Sequence, residues 1–306
     1  MASSTTPPVA RQWLGIVALV ACATLWSLNG PLIKVLNHAG VPGVTIACYR
    51  SLIGGLIFAP LALRRLGTLR RVAVAWPIAS VATFTLMTIT FVVATTMTAA
   101  ANAIILQYTS PIWVFLLAPL LLKERPGRIE GLVLLVAMAG VAVIFSGNTD
   151  TSAAGLLVAL LSGFGYGSLT VVLRGLRPVS PTVVASLNAL GAGVILLVPV
   201  ALAHSFGLTR YTFGLMLLMG LVQFTFPYLL FSWGLQYVEA HRAALIVLLE
   251  TVLNPLWTYL IVGEAPPVAT LWGGPLILLG VAGWLLLVWR RERARARQAG
   301  RAANLC

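Results

Sequence analysis

Long apolar runs separated by short polar joints set the pattern of this chain. Ten such segments can be counted, at roughly 13–33, 43–63, 73–95, 100–122, 129–146, 154–173, 180–202, 213–235, 243–262 and 270–289. Most are about 20 residues long, enough to cross a bilayer as a helix. Hydrocarbon offers no hydrogen bonds, so each segment must satisfy its own backbone. The runs do not alternate as barrel strands do, and they predict helices. The joints leave no room for a soluble domain. The fold class expected is an all-α integral membrane protein.

The pattern also repeats. A shift of 140 positions carries Leu116, Leu120, Glu124, Pro126, Gly140, Val141 and Ala142 onto Leu256, Leu260, Glu264, Pro266, Gly280, Val281 and Ala282. The same shift relates Gly15 to Gly155, Trp26 to Tyr166 and Lys34 to Arg174. Chance matches between leucine-rich segments do not keep one register over half a chain. The chain therefore reads as two five-helix units, 13–146 and 154–290, followed by a basic tail at 291–306. Five helices per unit is an odd number, so the second unit enters the membrane inverted. Inverted repeats are a mark of secondary transporters, whose sites lie near the midplane between the halves.

Composition agrees. Hydrophobic residues make up 59% and charged residues 9%, against about 25% charged in a soluble domain. The net charge of +13 is spread over the joints and the tail and calls for no nucleic acid. It sets orientation instead. Of the 20 Lys and Arg, only Lys34 and Arg210 fall in outer loops and Arg50 within a segment, when the N-terminus is placed inside. The positive-inside rule then puts both termini in the cytoplasm, across the inner membrane. Membrane lipid is the expected surround of the spans, and anionic lipid of the tail. Cys22, Cys48 and Cys306 form no metal or redox spacing, and no phosphate-binding loop occurs. No cofactor or metal is called for.

The polar residues inside the spans are the candidate chemistry. Glu250 is the lone carboxylate deep in a span and must be protonated, paired or facing water. Asn254 and Trp257 follow it on one helical face. Carboxylate, amide and indole together suit an ammonium group and an apolar side chain. Substrate binding or proton coupling on one side, and a purely structural staple on the other, both fit Glu250. Trp26, Asn29, Thr88, Asn102, Gln107, Tyr108, Trp113, Tyr166, Gln223 and Tyr228 complete the expected substrate wall, with Pro111, Pro227 and Pro255 as expected hinges. Arg50 is a cation that needs partners: it could receive a substrate carboxylate, or lock its helix in the bundle through an internal ion pair or backbone carbonyls.

Two tandem units, each closing on Glu-x-Pro before a Gly-Val helix, resemble the EamA-type members of the drug/metabolite transporter superfamily. The residues are KERP at 123–126 with AGVA at 139–142, and GEAP at 263–266 with LGVA at 279–282. ALVACATLWSLNGPLIK and CYRSLIGGLIFAP are also similar to that family, and the likeness covers residues 13–290. Among its branches the chain looks most like the YddG-type exporters of aromatic and other amino acids. The resemblance implies alternating access through a cavity lined by spans 1, 3, 4, 6, 8 and 9, with 5 and 10 at the periphery. One departure stands out: Thr251 replaces the proline expected opposite Pro111, with Pro255 four residues on. That would move the bend of span 9 by about one turn. The expected substrate is an amino acid or similar metabolite, with cationic drugs or nucleobases as the alternative cargo. A membrane enzyme and a scaffold subunit are the alternative classes. A monomer suffices for this reading, and the pattern does not specify an oligomeric state.

Overall fold

A computed structural model describes residues 9–122, 128–147, 152–234, 237–238, 243 and 246–303. Among these, every regular element is helical and no strand occurs. The α-helices are α1 (Val9–Ser27), α2 (Asn29–His38), α3 (Gly43–Leu63), α4 (Ala75–Met97), α5 (Ala100–Gln107), α6 (Ser110–Leu122) and α7 (Arg128–Gly147). They continue with α8 (Ala153–Gly175), α9 (Pro181–Leu202), α10 (Arg210–Leu218), α11 (Phe226–Gly234), α12 (Leu249–Val262) and α13 (Val268–Ala303). Among the described residues, eight stretches are long and apolar enough to cross a membrane, and Leu134–Gly147 is a shorter apolar one. Leu120, Leu202 and Trp272 stand 76%, 78% and 73% exposed. An apolar rim so open is what lipid, rather than water, would cover.

Several apolar segments are not single helices. The first breaks at Leu28 into α1 and α2. Pro31 has no N–H, and its ring crowds the carbonyl four residues back at Ser27. The fourth breaks at Tyr108–Thr109, again just before a proline, Pro111. The eighth changes to π geometry over Met219–Thr225, immediately before Pro227, and Thr225 Oγ1 donates to Gly220 O at 2.8 Å. The ninth turns at Leu248, which the 140-residue shift aligns with Tyr108. The expected displacement of this bend by one turn is therefore corrected. Thr251 holds the turn by donating both its N–H and its hydroxyl to Leu248 O, at 3.0 and 2.7 Å. Hydroxyl back-bonding of this kind bends a helix without a proline. Pro255 lies inside α12, which continues through it. α13 runs on through the basic residues that follow Trp289, to Ala303. Lys123, Glu124 and Pro126 of the first Glu-x-Pro turn lie outside the described residues.

Packing respects the repeat. α1 packs on α11, and α4 packs on α8, the same pairing with the two copies exchanged. α3 against α9 and α7 against α13 are each a helix on its own counterpart. Glycine lets these backbones meet. A Cβ on Gly15 would lie 2.8 Å from Tyr237 Cβ, and one on Gly155 would lie 3.1 Å from Met97, the residue 140 positions before Tyr237. At the α7–α13 crossing a Cβ on Gly273 would fall 2.6 Å from Gly140 O. Close approach of this kind is how membrane helices gain contact where lipid supplies no hydrophobic drive. Gly273→Val should therefore cost about 1–3 kcal/mol through overpacking. It is expected to lower the thermal midpoint in detergent, while Gly67→Ala, with nothing within 4 Å, leaves it unchanged.

Candidate functional site

The helix breaks surround one cavity of about 390 Å³. Its wall takes Trp26 from the end of α1, Asn29 from the start of α2, and Phe84, Thr88 and Phe91 from α4. Gln107 and Tyr108 come from the α5–α6 junction, with Pro111 beside them; Tyr166 comes from α8, Gln223 from the π turn, and Tyr228 from α11. Glu250, in the first turn of α12, completes the polar part. Broken backbone is tolerated at membrane depth only against protein or a cavity, which is where these breaks sit.

The polar groups form two clusters. In the first, Tyr108 Oη donates to Glu250 Oε2 at 2.9 Å, and the Tyr108 and Tyr166 rings meet edge to face at 6.4 Å. In the second, Arg50 Nη1 donates to Asn29 Oδ1 at 2.7 Å and Nη2 to Thr88 Oγ1 at 2.6 Å. Aromatic rings link them: Trp26 contacts Tyr228 at 5.4 Å and Phe231 at 5.5 Å, and Phe224 contacts Tyr228 at 5.5 Å. Cation, carboxylate and ring faces thus share one space, suited to a small molecule with polar ends and an apolar body.

Four of the expected wall residues stand apart from it. Asn102 is fully buried, donates to Thr98 Oγ1 at 2.9 Å and accepts from Thr270, which ties α5 to the start of α13. Trp113 packs edge-on to Phe164 at 5.2 Å, between α6 and α8. Asn254 is 0% exposed and presses against Gly30 of α2. Trp257, one turn on, has its indole nitrogen buried without a partner and is absent from the lining. Two contributions were missed in return. Arg50 lines the cavity, so α3 belongs to the wall. Val281, Trp284 and Leu285 of α13 also reach it, so the tenth span is not peripheral. The lone charge in an apolar segment could have flagged Arg50. The α13 residues carry no polar signal at all.

Near the opposite ends of these helices lies an ion pair. Lys34 Nζ meets Glu264 Oε2 at 2.5 Å and donates to Thr98 O at 2.9 Å, while Glu264 Oε1 accepts from Ala100 N at 2.7 Å. One carboxylate thereby joins α2, the α4–α5 junction and the turn before α13. Lys34 is buried, so screening by salt is weak there.

Single cysteines test the geometry. With Cys22, Cys48 and Cys306 replaced by alanine, a cysteine at Tyr166 or Gln223 should react with a small water-soluble thiol reagent. One at Asn254 or Asn102 should stay silent. Reaction at Asn254 matching that at Tyr166 would contradict the wall described here.

Comparison with known proteins gives the family and the fold. The sequence pattern of the EamA-like transporter family matches twice, over residues 13–146 and 153–286. The chain is 28% identical over 279 residues to an uncharacterized transporter of Archaeoglobus fulgidus, covering 90% of this chain and 96% of that one. It is 26% identical over 272 residues to the pseudopaline exporter CntI of Pseudomonas aeruginosa, covering 87% and 93% of the two chains. A solved crystal structure superposes with a TM-score of 0.61 at 19% identity, over 92% of this chain and 97% of the other, and so shares the fold. On these grounds the chain is a multi-pass membrane protein that belongs to the EamA-like transporter family.

Proposed function

We propose that this chain is a secondary transporter that exports small, partly apolar metabolites, amino acids foremost, across the cytoplasmic membrane. One observation carries the reading: Glu250 and Arg50 face a single cavity of about 390 Å³ among aromatic rings. A carboxylate can hold a substrate ammonium and rings can hold its side chain. The expected binding residues on the wall are Trp26, Asn29, Thr88, Gln107, Tyr108, Tyr166, Gln223, Tyr228 and Glu250. A relative named as an exporter supports the outward direction.

The topology this reading uses has ten spans in two inverted five-helix halves with both termini cytoplasmic. The two family matches and the placement of Lys and Arg support it. The exchange of helix partners between the copies supports alternating access. In the state described here the end at Lys34 and Glu264 is held by their ion pair. The cavity wall extends the other way, to Leu173, Trp284 and Leu285, toward the ends that carry Arg174 and Arg290. The repeat gives Lys34 and Glu264 the counterparts Arg174 and Glu124. The latter pair would close the inner end when the outer pair parts. Pro111 and Pro227, beside the breaks, and Pro255 within α12 serve as hinges in that exchange.

Proteoliposomes test it. The purified protein should exchange labelled phenylalanine across the bilayer, and a panel with nucleobases and cationic drugs decides between the cargo classes. Glu250→Gln keeps shape and hydrogen bonding but removes the charge. It should weaken affinity for ammonium-bearing substrates by about tenfold or more, the loss of one charge-assisted hydrogen bond. A Gln variant with unchanged affinity would leave Glu250 only as a staple between α5 and α12 through Tyr108.

A further inference from the structure

Arg50 carries a charge that its neighbours do not answer. It sits midway along α3 and is 5% exposed. Its two hydrogen-bond acceptors, the Asn29 amide oxygen and the Thr88 hydroxyl, are both neutral. Among the described residues no carboxylate lies within 4.0 Å of it; the ion pair found there is Lys34–Glu264. Its Nε is buried with no acceptor. Gln223 faces the same cavity, 3% exposed, and its Oε1 also has no partner.

A staple does not need this chemistry. A glutamine at position 50 would donate hydrogen bonds to neutral acceptors with no charge to desolvate, and an unanswered charge in a membrane interior is costly. A guanidinium earns its place where an anion arrives to pair with it. Nε and the adjacent Nη form one edge of the guanidinium fork, the edge that takes a carboxylate through two parallel bonds. Nε is the atom left without an acceptor here. The cavity's own carboxylate, Glu250, is held by Tyr108 and does not meet Arg50. The wall therefore presents an unpaired positive site on the first repeat and a negative one on the second.

We propose that Arg50 receives the carboxylate of the transported molecule, so that the cavity favours cargo that carries one. The inference rests on the amino-acid reading above and names the residue that meets the substrate's carboxylate. It also explains why Asn29 and Thr88 flank the site. They hold the guanidinium plane in a fixed orientation, which lowers the cost of ordering it when ligand binds.

Three probes with one side chain test it: phenylalanine, phenethylamine, which lacks the carboxylate, and 3-phenylpropionate, which lacks the ammonium. Half-saturation for each is measured in proteoliposomes with wild type, Arg50→Gln and Arg50→Lys. Arg50→Gln should lose about tenfold or more for phenylalanine and 3-phenylpropionate and leave phenethylamine unchanged. Arg50→Lys keeps the charge without the fork and should fall between them. The ratio of phenylalanine to phenethylamine is read within one preparation, so partial misfolding of a variant does not move it. Equal weakening of all three probes, or no change for phenylalanine, would overturn the Arg50 assignment and leave the amino-acid reading standing. A wild-type protein that moves none of the three would overturn the amino-acid reading, and the assignment with it.

Discussion

Hydrocarbon supplies no hydrogen bonds, and that one constraint runs through the whole molecule. A polar group inside the spans is costly unless it finds a partner in protein or faces a cavity. Lys34 does so through Glu264 and Thr98 O, Asn102 through Thr98 and Thr270, and Arg50 in part through Asn29 and Thr88. The same rule applies to backbone. Where Pro31, Pro111 and Pro227 cannot donate, the helices break or widen, and each disturbance lies beside the cavity described above. The site is thus built largely from helix ends, which can move with little loss of hydrogen bonding.

Glycine contacts supply the opposite property. The α7–α13 and α3–α9 crossings bring backbones so close that a single methyl would collide, at Gly273 with Gly140 O and at Gly55 with Leu190 N. Each joins a helix to its counterpart in the other copy. Rigid crossings of this kind, next to broken helices, divide the bundle into parts that stay together and joints that can turn. Under the proposed cycle, the two copies trade the roles of open and closed end around these crossings.

Much of this was legible in the sequence, for physical reasons. A span needs a continuous apolar run, so the helices and their repeat show directly. A polar residue in such a run must point inward, which marked Trp26, Asn29, Thr88, Tyr108, Tyr166 and Glu250. Inward, however, means either a cavity or a helix interface, and spacing cannot separate the two. Asn254 obeys the rule and ends against Gly30, while Asn102 ends on Thr270. Arg50 failed in the other direction, since its face depends on how α3 is rotated against α9. Trp284 and Leu285 are apolar residues on an apolar helix, and only the three-dimensional packing tells the cavity side from the lipid side. The turn at Leu248 was misread because a threonine replaced the proline, and its hydroxyl bends the helix by another route.

The central claim is that one end of the cavity is closed by Lys34 and Glu264 and must open in each cycle. Cysteines at positions 34 and 264, in a background free of other cysteines, allow that end to be tied with a short bifunctional thiol reagent. Exchange of labelled phenylalanine is then followed in proteoliposomes before and after the tie, and again after a cleavable reagent is released. The account predicts that exchange stops when the end is tied and returns on release, while a cysteine at Tyr166 still reacts from the inner side. Undiminished exchange through a protein tied at positions 34 and 264 would contradict it.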